Sequence, residues 1–131
     1  MKQSQKKQPL VQGIEFAKKA ANIAYDNRAE DIIVLDLRNL SSFADFFVIA
    51  TGTSARQMQA IVDRIDEHGK HIGQKRYGLN GYDSSSWILA DYVDTVIHLF
   101  DAERRQYYDL ELLWGDAPRI DWQKSTTARN V

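Results

Sequence analysis

The chain predicts a single α/β domain, a mixed sheet of about five strands flanked by helices. Three observations carry that expectation. Short β-branched apolar runs recur at Ile32 to Leu37, Phe46 to Thr51, Trp87 to Tyr92 and Thr95 to Phe100. Amphipathic stretches with helical spacing precede, separate and follow them. The length of 131 residues, 44% apolar and 27% charged, suits one core.

Residues 1–8 are basic and glutamine-rich and read as disordered, with the domain over 9–118 and a polar, flexible tail over 119–131. Pro9 fits a first helical position, where its missing N–H costs nothing. Leu10, Ile14, Ala17, Ala21 and Ala24 then fall on one helix face. Ile32 to Leu37 and Phe46 to Thr51 read as buried strands, the second ended by Gly52. Ser54 with Gln57 forms a capping box for a helix whose core face is Met58, Ile61, Val62, Ile65 and Ile72. Gly69 or Gly73 can stop it.

Lys75 to Leu79 is expected as a short edge strand, and Asn80-Gly81 as a turn. Trp87 to Tyr92 and Thr95 to Phe100 should make an antiparallel hairpin around Val93-Asp94. Asp101 is placed to cap one last helix carrying Tyr107, Leu110 and Trp114 on a single stripe, stopped by Gly115 and Pro118.

Composition excludes several chemistries. With no cysteine there is no disulfide framework, cysteine-ligated zinc or thiol catalysis. No apolar run approaches the length that spans a bilayer, and Met1 to Pro9 lacks the apolar core of a secretory signal. A soluble, cytoplasmic protein is expected. The net charge is −1, but residues 80–121 hold nine acids against three arginines. A surface of that sign repels phosphate backbones and attracts basic proteins.

Candidate catalytic groups are sparse. Gly52-Thr53-Ser54, between a strand and a helix N-terminus, could cradle a phosphate. Nucleotidyl transfer would also need paired carboxylates on a neighbouring strand, and no Asp-x-Asp or Asp-x-Glu lies on any expected strand. His68 and His71 share a helix face without a third strong metal ligand in sequence. His98 has no nucleophile neighbour and reads as structural or as part of a docking face. Lys70, Lys75 and Arg76 make a basic patch without the interleaved aromatics of a nucleic-acid surface. No cofactor or metal is implied, and enzymatic activity is not expected.

What the chain does have is aromatics beside acids in its last third. Trp87, Leu89 and Asp91 share one face of a strand by period two, Tyr92 and Asp94 sit at the following turn, and Tyr107, Glu111 and Trp114 gather on the last helix. Tryptophan and tyrosine are the usual anchors of protein interfaces.

Residues 31–114 resemble the ribosomal silencing factor family, also called Iojap-like proteins. The resemblance rests on Asp45-Phe46-Phe47-Val48-Ile49-Ala50-Thr51-Gly52-Thr53-Ser54 followed by Arg56-Gln57, and on Gly81. It extends through Trp87-x-Leu89-x-Asp91-Tyr92-x-Asp94, Val96-x-His98-x-Phe100 and Tyr107-Tyr108-x-Leu110-Glu111-x-Leu113-Trp114. It implies a nucleotidyltransferase-like fold without the active site. It also implies a translational repressor that binds the large ribosomal subunit through that subunit's ribosomal protein number fourteen and sterically blocks joining with the small subunit. The binding surface implied by the family is Trp87, Leu89, Asp91, Tyr92, Asp94, His98, Tyr107 and Glu111. Little direct RNA contact is expected, and two copies could pair through the same face when no ribosome is present. Two positions depart from the family pattern, Asn80 where glutamate is frequent and Val93 where glycine is frequent. The alternative reading is a nucleotide-binding or nucleotidyl-transferring enzyme that uses the Gly52-Thr53-Ser54 turn.

Overall fold

The computed structural model describes residues 10–123, with side chains from residue 13 onward. Helix α1 (Leu10–Asp26) leads into β1 (Glu30–Asp36) and β2 (Phe46–Thr51). Helix α2 (Ala55–Ile72) follows, then β3 (Gly78–Asn80), β4 (Trp87–Asp91) and β5 (Thr95–Phe100). Two short helices, α3 (Ala102–Tyr108) and α4 (Leu110–Leu113), come last. The strands form one sheet in the order β1-β2-β5-β4-β3. β2 and β5 are parallel at its centre and the other pairs are antiparallel, which makes the sheet mixed as expected.

One face of the sheet lies under α1 and α2. Phe16, Ala17, Ala20, Ala21 and Ala24 of α1 and Met58, Ile61, Val62 and Ile65 of α2 pack on Val34, Phe46, Val48, Ala50, Ile88, Ala90, Ile97 and Leu99. The alanine stripe lets α1 lie close to the strands, and Phe16 fills the space beyond it. Pro9, the Leu10 side chain and the disordered segment expected over residues 1–8 lie outside the described residues.

The cap of α2 forms largely as expected. Ser54 Oγ accepts from the Gln57 N–H at 3.1 Å, while Gln57 Oε1 accepts from the Thr53 N–H, one residue earlier than in a standard capping box. Gly73, at φ +81°, ends the helix. Ile72 departs from the expected core face and is 37% exposed. Gly69 takes the last buried place instead, where a Cβ would stand 2.8 Å from the Gln74 carbonyl, and Ile72 lies beyond it.

Other boundaries shift for identifiable reasons. The edge strand pairs only over Gly78–Asn80, not Lys75–Leu79, because residues 74–77 are the return from α2. Gly81, at φ +79°, could carry no side chain, since a Cβ would meet the Trp87 carbonyl at 2.0 Å. The β4–β5 hairpin forms as expected, with Val93 at φ +75° in its turn. That backbone angle explains why glycine suits the position, and here the Asp91 carboxylate supports valine by accepting its N–H at 2.7 Å.

The single last helix is not observed. It breaks at Asp109, which sits in the left-handed region at φ +45°, closes α3 through its N–H and caps α4 through its side chain. The break splits the expected stripe. Leu110 and Trp114 pack on the sheet, and Tyr107 turns outward at 78% exposure.

The flexible tail expected from residue 119 also needs correction within the described residues. Arg119 bridges Leu35, the Ile120 N–H donates to the Val34 carbonyl at 2.9 Å, and Trp122 Nε1 donates to the Ile32 carbonyl at 3.2 Å. Asn22 then binds the Trp122 carbonyl at 2.9 Å. Residues 118–122 therefore lie along the otherwise unpaired edge of β1, because that edge has backbone groups to satisfy. Residues 124–131 lie outside the described residues.

Candidate functional site

The second face of the sheet is the candidate docking face. Cross-strand register assembles it. Trp87, Leu89 and Asp91 stand opposite Phe100, His98 and Val96, which in turn flank Thr51, Ile49 and Phe47. Alternation puts all nine side chains on the face away from α1 and α2. Leu35, Leu37, Ile49, Phe100 and Ala117 are its buried floor, with Ile33, Phe47, Trp87, Leu110 and Trp114 around them.

The face is an aromatic deck. Trp87 lies 4.9 Å from Phe100 and 4.6 Å from Tyr108 between ring centroids. Phe47 meets the His98 ring edge-on at 4.5 Å and Trp114 at 6.0 Å. Contacts of this geometry are attractive beyond area burial and hold the rings in fixed relative positions. Trp87, Leu89 and Phe47 remain half-buried and Tyr108 is exposed, so the deck still presents apolar surface.

His98 lies inside the deck, only 4% exposed. The Trp87 indole N–H donates to His98 Nδ1 at 3.2 Å. A neutral imidazole accepting at Nδ1 carries its proton on Nε2, and that buried atom has no partner. Burial pushes the imidazole down to about 4, so it is neutral at physiological pH. His98 is therefore not a surface contact as it stands.

Tyr92 is a clear correction to the expected set. It lies one residue past Asp91 and points to the opposite face, where it is 3% exposed. Its ring meets Phe16 edge-on at 4.9 Å and its hydroxyl donates to Asp66 at 3.2 Å. Burial and then the Asp66 charge push the phenol far above its usual range. Asp94, in the turn, is half-buried, and burial followed by Asp45 repulsion raises its carboxyl.

Glu111 is held by a clasp. Arg105, the buried residue of α3, reaches Glu111 at 2.6 Å, Thr51 Oγ1 at 2.9 Å and the Asp31 carbonyl. Burial alone would raise the Glu111 carboxyl, but the Arg105 hydrogen bonds outweigh it and hold it below its usual value. The clasp ties α3 and α4 to the ends of β1 and β2, so Glu111 sets the position of the deck's roof. Trp87, Leu89 and Asp91 come together as expected, Asp94 flanks them, and Tyr107 stands at the exposed margin against Tyr108 at 4.9 Å.

Sequence reasoning missed part of this surface. Phe47, Phe100 and Tyr108 complete the deck, and period two within each strand was the available signal for the first two. Phe43 is 88% exposed, Leu112 76% and Leu113 70%. Leu40, Leu112, Leu113 and Trp114 line a shallow groove beside the deck. Nothing in local spacing marks these leucines as outward, because the Asp109 break decides their direction.

The other candidates fare differently. At the Gly52-Thr53-Ser54 turn the Gly52 N–H donates to Phe100 O and the Thr53 N–H to Gln57 Oε1, both at 2.7 Å. These amides are already used by the protein. His68 stacks on Phe16, and among the described residues no three His, Cys, Asp or Glu side chains are placed to hold a metal ion. In the basic patch, Lys70 and Arg76 pair with Asp66 at 3.8 and 3.5 Å. No helix of the described residues is long and apolar enough to cross a membrane.

The family model described as "Ribosomal silencing factor during starvation" matches residues 11–131. The ribosomal silencing factor RsfS of Bacillus subtilis is 43% identical over 102 residues, covering 78% of this chain and 86% of that protein. The chloroplastic protein Iojap of Arabidopsis thaliana is 38% identical over 114 residues, 85% of this chain and 46% of that longer protein. A crystal structure of a Chromobacterium violaceum protein superposes with a TM-score of 0.73 at 37% identity, covering 77% of this chain and 84% of that one. The chain belongs to the ribosomal silencing factor family.

Proposed function

We propose that this member of the ribosomal silencing factor family represses translation as a non-catalytic wedge. It docks on the large ribosomal subunit through that subunit's ribosomal protein number fourteen and prevents the small subunit from joining. The observation that carries this reading is the aromatic deck. Trp87, Leu89, Phe47 and Tyr108 form a half-open apolar surface at the centre of a rigid sheet, next to Asp91 and Asp94. Apolar anchors surrounded by charge are the anatomy of a specific protein interface. Acids at that position favour a basic protein partner and disfavour direct contact with RNA phosphates.

The test is subunit joining. Purified large and small subunits are mixed with and without the protein, and whole ribosomes are counted by sedimentation. The protein should reduce their number, and Leu89→Ala with Asp91→Lys should restore it without unfolding the chain. Equal joining in the presence of saturating protein would end this reading. The same deck is the surface through which two copies would pair when free, and added large subunits should then dissociate the pair.

The nucleotidyl-transfer alternative has less behind it, since amides of its supposed phosphate cradle are bonded internally. Heating the protein with millimolar ATP and magnesium checks it, because a bound ligand raises the melting temperature.

A further inference from the structure

Trp87 is a large, half-buried side chain at the centre of the deck. An anchor of this kind works best when its ring already stands in the bound orientation, because ordering it on association costs affinity. Trp87 stacks on Phe100 and lies tilted against Tyr108, contacts that fix the ring's plane but carry no hydrogen bond. The directional contact is the hydrogen bond from the indole N–H to His98 Nδ1. His98 itself has little freedom. It sits mid-strand between Leu89 and Ile49 on the neighbouring strands, with Phe47 edge-on to its ring.

We propose that His98 is a positioning residue of the docking face: it meets no partner, and it locks Trp87 in its docking orientation by accepting the indole N–H. The inference rests on the docking reading above. What separates it from simple core filling is the unmatched atom. A leucine or phenylalanine would fill this place with no unpaired imidazole donor but would leave the Trp87 indole N–H without its acceptor, and the chain carries an imidazole although its Nε2–H has no acceptor. The group that the site needs is the acceptor at Nδ1.

The lock also defines what Trp87 offers. With its only polar group turned inward, the indole presents a ring and no hydrogen-bond donor. The partner group that fits is an aliphatic side chain or a lysine or arginine laid over the ring, where the aromatic quadrupole attracts the cation.

The experiment follows the indole signal and the affinity together. In the 15N-labelled full chain, Trp87→Phe identifies which of the three tryptophan indole N–H signals belongs to Trp87. That signal should show a hydrogen-bonded shift and slowed exchange with solvent. His98→Phe should move it to the solvent-exposed position and weaken cosedimentation with bacterial large subunits roughly tenfold. His98→Asn, which returns an acceptor near the place of Nδ1, should restore both in large part. A merely structural role would not give that rescue. An indole signal that is already solvent-like in the unaltered protein overturns the proposal, even where His98→Phe fails to fold. So does a displaced indole with unchanged affinity. Trp87→Ala, run beside them, separates the two ideas. If it loses binding while His98→Phe does not, only the lock is wrong, and if neither loses binding, the docking face and the lock fall together.

Discussion

The two faces of the sheet are built from different materials. The face under α1 and α2 is aliphatic and closed, with Phe46, Val48, Ala50, Ile97 and Leu99 all but absent from solvent. The face bearing Trp87 is aromatic, holds a buried imidazole and a buried guanidinium, and is only partly roofed by α3, α4 and the residues after them. Alternation along the same strands supplies both. Even-numbered positions of β2 and β4 make a scaffold, and odd-numbered ones make a recognition surface. The comparison teaches that stability and binding are assigned to opposite faces, so each should answer to its own substitutions.

The largest effect is expected on the closed face. Phe46→Ala should cost about 3–5 kcal/mol of stability, measured by chemical denaturation. Binding should fall only in proportion to the unfolded fraction. A loss of binding with stability intact would break the division between faces.

Next comes the imidazole. The folded value of His98 is about 4 and its ordinary value is 6.5, so between them the unfolded chain binds more protons than the folded one. Stability should therefore fall as pH drops from 6.5 towards 4, by a total of about 3 kcal/mol. His98→Phe should flatten that slope in pH-dependent melts.

On the open face, Trp87→Ala should weaken binding to large subunits by about 2 kcal/mol, roughly 30-fold, while the chain still folds. Cosedimentation beside a thermal melt reads both quantities.

The smallest effect concerns the clasp. Glu111→Gln should cost about 1–2 kcal/mol, less than a fully buried pair, because 26% of the Glu111 side chain is still in water. The folded carboxyl titrates below its ordinary 4.5, so its contribution is complete above that pH and is lost as pH falls through the folded value. The variant should show a shallower acid limb below pH 4.5 in the same melts.

Much of this was legible in the sequence, for reasons of period and chemistry. β-branched runs located the strands, and Ser54 and Asp101 marked helix starts because side-chain oxygens satisfy otherwise unpaired amides. Period two placed Trp87, Leu89 and Asp91 together. The same parity puts Tyr92 on the other face, and grouping it with the turn overlooked that. Three features carried no local signal. Asp109 adopts a left-handed conformation without glycine, held by its own side chain. The Arg105–Glu111 clasp spans that break, so helical spacing does not connect the two residues. Ile120 and Trp122 alternate for too short a stretch to read as a strand, and only the open edge of β1 gives them a place.

That last pairing has a wider consequence. A protein that displays a greasy surface while waiting for its target runs a second risk, because the rim of a sheet can recruit strands from other molecules and grow into a fibre. Here one rim is occupied by the chain's own residues 118–122 and the other is a three-residue strand. The molecule can thus remain adhesive in one direction only, available to a partner above its deck and closed to endless sideways growth.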